Sequence, residues 1–373
     1  MAERVYVHIG LPKTATTYLQ TIVWGSREEL LAQGLLIPGR RRSDHLWSSS
    51  AVRDDPRLET AIEEHRTAWE RLRTQIAEHE GDALVTHEFF ASASTEQVQR
   101  MVEDLAPAEV HVVVTVRELL GVFTASWQES LKNRGTTPVG EYSTTEAKSP
   151  RVIWNWRTLD HRLVLERWSG AVAPERIHVL PVDTTAPRDD IWRRFAGVLG
   201  VDPDAVDLDQ SFPNESMGVV QAELLLRVNR RLADRGLLVG ARDRGRILRT
   251  FLADERLVPT AGERFWPPAD RVEECRTRNE AALAHLRAHP YDVVGRIEAL
   301  EFPDPLPQRR TAGEVSDAEV AELAADLVAT LLEDVRELRA RPRPVAPPPP
   351  PPLWRRALNR LRPAPPERSG VGT

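Results

Sequence analysis

Val7-His8-Ile9-Gly10-Leu11-Pro12-Lys13-Thr14-Ala15-Thr16-Thr17-Tyr18-Leu19-Gln20 is the stretch on which the fold turns. Val5 to Ile9 reads as a strand, Gly10 sits in a turn, and a helical pattern begins near Thr16. Such a junction is an anion cradle, because free backbone N–H groups and the positive end of the helix face one point. Lys13 adds a mobile positive charge, and Thr14, Thr16 and Thr17 offer hydroxyl donors. A strand–turn–helix with an incidental Lys is the plainer alternative.

Working outward, Arg4–Gly10, Ala83–Glu88 and Glu109–Arg117 are short, β-branched and apolar on both faces, as buried parallel strands are. A fourth strand is expected at Arg176–Val182. Helical patterns separate the strands, at Arg57–His79, Thr95–Leu105, Leu119–Lys132 and Asp190–Leu199. Farther on, Ser216–Arg235 and Arg271–His289 are the clearest helices. This alternation predicts an α/β fold: a P-loop-like central parallel sheet flanked by helices, with additional C-terminal helices. The expected domain runs over residues 1–340.

A nucleotide triphosphatase is the obvious competitor for the loop. Its Walker pattern needs Gly immediately before the Lys, and Pro12 stands there. It would also use an acidic residue to hold magnesium after a strand, whereas the third strand ends in Arg117. An arginine there makes an anion site where a metal site would be.

Gly10-Leu11-Pro12-Lys13-Thr14-Ala15-Thr16-Thr17 resembles the 5′-phosphosulfate loop of sulfotransferases that use 3′-phosphoadenylyl sulfate (PAPS). It is closer still to a bacterial sulfotransferase-like group reading G-L-P-K-T-G-T-T-Y-L-Q. The resemblance implies that Gly10, Pro12 and Lys13 to Thr17 bind the donor, with Lys13 on the bridging oxygen between phosphate and sulfate. Ala15 replaces the usual Gly, so the loop must hold that position in a conformation Ala tolerates. The same family ends its third strand with an Arg that binds the 3′-phosphate, helped by a Ser about eight residues later. Arg117 matches; the eighth position is Ala125, and Thr124 and Ser126 flank it as alternative helpers. Asn214-Glu215-Ser216-Met217-Gly218 resembles a segment near the nucleotide in the bacterial relatives, and equally reads as a helix start capped by Asn214 or Ser216.

Sulfuryl transfer needs a base for the acceptor proton. His87 and Glu88 close the second strand at the edge where parallel sheets place ligands, and successive side chains point to opposite faces. Glu88 is the preferred base and His87 the runner-up; a capping Glu beside a buried His is the bland reading. Substrate-binding candidates are His45, after an arginine cluster, and Trp156 and Asp160 in an aromatic helix start that resembles the bacterial relatives. No His or Cys spacing suits a metal.

The single cysteine, Cys275, and an N-terminus without a leader point to the cytoplasm. Net charge is -6, yet residues 341–373 carry seven Arg and one Glu, which leaves a body of -12. That body is a poor match for nucleic acid. The tail contains six consecutive prolines, Pro347–Pro352, then a basic amphipathic stretch, residues 353–362, able to touch a membrane surface or an acidic partner. A solvated, flexible tail is the simpler expectation.

The expected activity is transfer of a sulfuryl group from PAPS to a hydroxyl or amine of a small-molecule, lipid or carbohydrate acceptor, with PAP (PAPS lacking its sulfuryl group) as product and no metal. The alternatives are a magnesium-dependent kinase or triphosphatase and a non-catalytic nucleotide-binding scaffold.

Overall fold

Glu109 to Val116 reads Glu-Val-His-Val-Val-Val-Thr-Val, and all but Glu109 and His111 are buried, which only a strand covered on both faces allows. The computed structural model describes residues 1–143, 153–208, 216–260 and 262–340. It contains eight strands: β1 Arg4–His8, β2 Leu35–Leu36, β3 Asp82–Thr86, β4 Glu109–Val116, β5 Ile177–Pro181, β6 Phe265–Trp266, β7 Asp292–Val293 and β8 Arg310–Thr311. Six form one sheet in the order β2-β3-β1-β4-β5-β7, all parallel, as the alternating sequence predicts; β6 and β8 pair separately. The two-residue strands were not anticipated, because two residues carry no period.

The alternation of side chains along each strand divides the core in two. Val5, Val7, Val85, Val112 and Val114 pack on one side, together with Leu72, Met101 and Leu165 of the helices there. Tyr6, Leu84, Val113 and Leu180 face the other side, against Leu19, Trp192 and Phe195. The result is a three-layer α/β/α body.

Helices Thr95–Leu105, Leu119–Lys132 and Asp190–Leu199 occupy their expected ranges. The first carries a reciprocal capping box between Ser94 and Gln97. The two later helices run over Val219–Asp234 and Ala269–Ala288, and Asp317–Ala340 adds a third. Gly218, not Asn214 or Ser216, is the N-cap of Val219–Asp234. Between these lies an unanticipated element, a wide π-helix at Arg244–Leu257. The chain divides into two units, residues 1–324 and 325–373. The tail segment 353–362 lies outside the described residues.

β1 has β3 on one side and β4 on the other, with His8 level with Thr86 and Val113. Chain order reverses around β1, so the crevice past its C-terminal end is where an open parallel sheet takes a ligand.

Candidate functional site

Past His8 the chain turns too tightly for a side chain. A Cβ at Gly10 would lie 2.4 Å from Thr115 Oγ1, 2.6 Å from His8 Nε2 and 2.8 Å from Thr16 Oγ1. The loop is braced from within. Thr14 donates to the Leu11 carbonyl at 2.6 Å and shares a 2.9 Å hydrogen bond with Thr115, and Thr16 donates to the same carbonyl at 3.2 Å. Lys13 (φ 68°) and Ala15 (φ 64°) both adopt left-handed backbone, Ala15 as the N-cap of helix Thr16–Gly25. The loop therefore does not avoid the region that Ala disfavours; it holds Ala15 there at a cost of ~1–2 kcal/mol.

This loop forms one wall of a cavity of about 1490 Å³. That exceeds the ~300–1,000 Å³ of a pocket for one small ligand. Pro12, Lys13, Ala15, Thr16 and Thr17 line it, whereas Thr14 is buried behind the loop and its hydroxyl is used as a strut.

Arg117, immediately after β4, opens on the same cavity, its Nε 3.3 Å from Glu118 Oε1. Glu118 also caps the following helix through a 2.6 Å hydrogen bond from Gly121 N–H. The start of that helix is pinned by Asn279, which accepts from Leu119 N–H at 3.0 Å and donates to the Leu300 carbonyl at 2.8 Å. Of the residues about two turns along, Ala125 lines the cavity. Thr124 donates to the Leu120 carbonyl at 2.8 Å and Ser126 pairs with the Tyr142 hydroxyl at 2.7 Å. Both hydroxyls are engaged inside the protein.

One turn beyond Ala125, Glu129 reaches the cavity and is otherwise buried, with 4% of its side chain exposed. Its Oε2 lies 3.2 Å from Lys13 Nζ, and Oε1 accepts from Arg249 of the π-helix and from Asn133 Nδ2 at 3.1 Å. Burial pushes the Glu129 carboxyl up, but Lys13 and Arg249 outweigh it and hold the group below its ordinary value. A second tie, Lys132 to Asp254 at 2.6 Å, fastens the π-helix across the opening. Arg57, Arg244 and Arg249 complete the cationic lining. Glu129 was legible in principle, four residues after Ala125 on one face of the helix; Arg249, more than a hundred residues away, left no local signal.

Glu88 lines the opposite side, with Gln20 donating to its Oε2 at 3.3 Å. Gln20 is itself held by Arg42. Burial alone would raise the Glu88 carboxyl; His87, its own backbone N–H, Gln20 and Arg42 more than offset this and lower it. His87 does not line the cavity. It accepts from Phe89 N–H at 3.1 Å through Nδ1, and burial lowers its pKa although the adjacent Glu88 carboxylate pulls the other way.

His45, Trp156 and Asp160 lie elsewhere. His45 is fully buried, accepting from Thr86 N–H at 3.0 Å and bonding the Pro38 carbonyl at 2.8 Å, which joins helix Arg42–Val52 to β3. Trp156 stacks on Phe123, and Asp160 caps helix His161–Trp168 through Arg162 N–H at 3.0 Å. The apolar part of the cavity is built instead by Ile153, Trp154 and Phe89. Ser216 also lines it; Asn214 and Glu215 are outside the described residues.

No family model and no curated protein matches the chain. Among solved structures it is similar to a sulfotransferase from Alicyclobacillus acidocaldarius, at 16% identity and a TM-score of 0.38, over 65% of this chain and 98% of that one. It is also similar to the sulfotransferase domain of the Synechococcus PCC 7002 olefin synthase, at 13% identity and a TM-score of 0.30, over 57% of this chain and 81% of that one. These likenesses carry no further weight, and what the chain does must be read from its own residues.

Proposed function

We propose that the chain is a sulfotransferase that uses PAPS as donor and a hydroxyl or amine as acceptor. One observation carries this reading: Lys13, Arg117 and Glu88 come from three different strand ends and open on one cavity. The cationic side, with Lys13, Arg117, Arg244 and Arg249, suits a donor bearing separate phosphates. The absence of room for a Cβ at Gly10, set by Thr115, His8 and Thr16, keeps the turn tight enough to carry Lys13 to the cavity, although Gly10 itself does not line it. The apolar side, with Phe89, Trp154 and Ile153, leaves space for an acceptor.

In the proposed reaction the acceptor oxygen or nitrogen attacks sulfur and forms the new bond to it. The bond from sulfur to the 5′-phosphate oxygen breaks in line. Glu88, ionised at neutral pH, takes the acceptor proton, and Lys13 stabilises the negative charge that develops on the leaving oxygen. Arg117 anchors the 3′-phosphate. The acceptor is a small molecule, lipid or carbohydrate, and the reaction is placed in the cytoplasm. No described helix is long and apolar enough to cross a membrane.

Calorimetry with PAP in magnesium-free buffer tests the donor site. Micromolar affinity that falls at least tenfold (about 1.4 kcal/mol) in both Lys13→Ala and Arg117→Ala supports it. Wild type that ignores PAP but binds ATP once magnesium is restored makes the protein a kinase or triphosphatase instead.

A further inference from the structure

Residues 227–249 hold eight Arg and two Asp within a body whose charge is strongly negative. Helix Val219–Asp234 ends there, the chain reverses through 235–240, and Ala241–Asp243 leads directly into the π-helix. Two left-handed residues make the reversal, Gly236 (φ 63°) and Leu238 (φ 53°). Left-handed backbone at a Leu is an outlier that costs ~1–2 kcal/mol, and such strain tends to be kept where function needs the shape. Its effect here is outward display: Leu237 is 49% and Val239 59% exposed, and Ile247 on the adjoining helix is 47% exposed. The chain here is loosely surrounded, for a Cβ added at Gly236, Gly240 or Gly245 would meet nothing within 4 Å.

Around these aliphatic residues stand Arg231, Arg235, Arg242 and Arg246, all exposed. None of the four pairs with a carboxylate among the described residues. Many arginines elsewhere do pair, as Arg193 does with Asp189 and Asp204. An unpaired basic ring around an exposed aliphatic tip is complementary to one kind of surface, an anionic bilayer: the arginines meet headgroups and the tip enters the acyl boundary. Nucleic acid fits poorly, because residues 227–249 contain no aromatic side chain for bases to stack on. A protein partner fits less well too, since interface cores are enriched in aromatics and Met.

We propose that residues 231–247 dock on an anionic lipid surface. Arg246 and Ile247 lie between Arg244 and Arg249, which line the cavity, so the docked face adjoins the cavity wall. The inference does not depend on the sulfotransferase reading, and it is distinct from any contact made by the 353–362 segment.

The test is co-sedimentation of the full chain with vesicles of phosphatidylglycerol and phosphatidylcholine, beside pure phosphatidylcholine. The wild type should bind the anionic vesicles alone and be released by 0.5 M salt, about a threefold shorter screening length than at low salt. Arg235→Gln with Arg242→Gln should weaken partitioning about 30-fold, from two lost headgroup contacts. Leu237→Ser with Val239→Ser should reduce it at least tenfold at unchanged melting temperature. Both pairs are exposed, so folding is not at stake. Patch variants that bind like wild type, with loss only when Arg355, Arg356, Arg360 and Arg362 are neutralised, would overturn the proposal. So would a wild type that ignores anionic vesicles yet is retained on immobilised polyglutamate.

Discussion

Lys13 Nζ lies 3.2 Å from Oε2 of Glu129, and the same carboxylate accepts from Arg249 on the far wall of the cavity. The lysine proposed to meet the donor is thus already engaged by a buried carboxylate of the protein. In the proposed donor site an incoming phosphate would have to compete for Lys13 and tolerate Glu129, while the Glu129 contact holds the lysine at the cavity wall.

Glu129→Gln separates these effects. A negative charge ~8 Å from a bound phosphate costs on the order of 1 kcal/mol at the dielectric of a half-open cavity. PAP affinity in this variant should rise about fivefold by calorimetry. Unchanged or weaker binding would show that aiming Lys13 matters more than the repulsion.

Glu88→Gln is expected to leave PAP affinity within twofold and to lower sulfuryl transfer by roughly 10²-fold or more, the usual worth of a positioned base. Slow transfer to water, read as sulfate released from PAPS, is a sufficient assay. Full activity in this variant removes Glu88 from the chemistry.

The two loop positions respond oppositely to a methyl group. Gly10→Ala drives a Cβ against Thr115, His8 and Thr16 and should cost ~1–3 kcal/mol in denaturant unfolding. Ala15→Gly relieves left-handed backbone and should leave stability unchanged or slightly higher. A stable Gly10→Ala protein would contradict the close approach seen there.

Three fully buried histidines set the acid limit. Desolvation lowers His8 and His161 to about 3 and His45 to about 4. Depressed values mean that the unfolded chain binds the extra protons: the full contribution is present above pH 6.5 and is lost as pH falls from there through the folded values. Each group adds a slope of about 1.4 kcal/mol per pH unit in that window. Denaturant unfolding at pH 7 and pH 5 should show the loss. Neither ring nitrogen of His161 has a hydrogen-bond partner among the described residues. His161→Leu should therefore be neutral or stabilising at pH 7 and should flatten the slope by one proton.

Much of the fold was legible because its signals are local. The apolar run of β4 and the apolar spacing of Asp190–Leu199 each lie within a few residues. His45 was less legible: a His after three arginines reads as a solvated loop or a pocket wall. Its position at the join between a helix and β3 depends on Pro38 and Thr86, which only folding brings near. Trp156 and Asp160 are similar, since an aromatic or an acid in a helix start reads alike whether it lines a cavity or fills the core.

From sequence alone came the parallel α/β architecture, the tight turn after β1 that carries Lys13 and the arginine that follows β4. Strand period, glycine placement and the residue at a strand end are properties of a short stretch of chain. Tertiary structure alone decided which groups share the cavity: Glu129 and Arg249 around Lys13, Ala125 in place of its hydroxyl neighbours, and Phe89 with Trp154 on the apolar side. Those relations depend on distances across layers, set by how helices pack on the sheet, and no spacing along the chain encodes them.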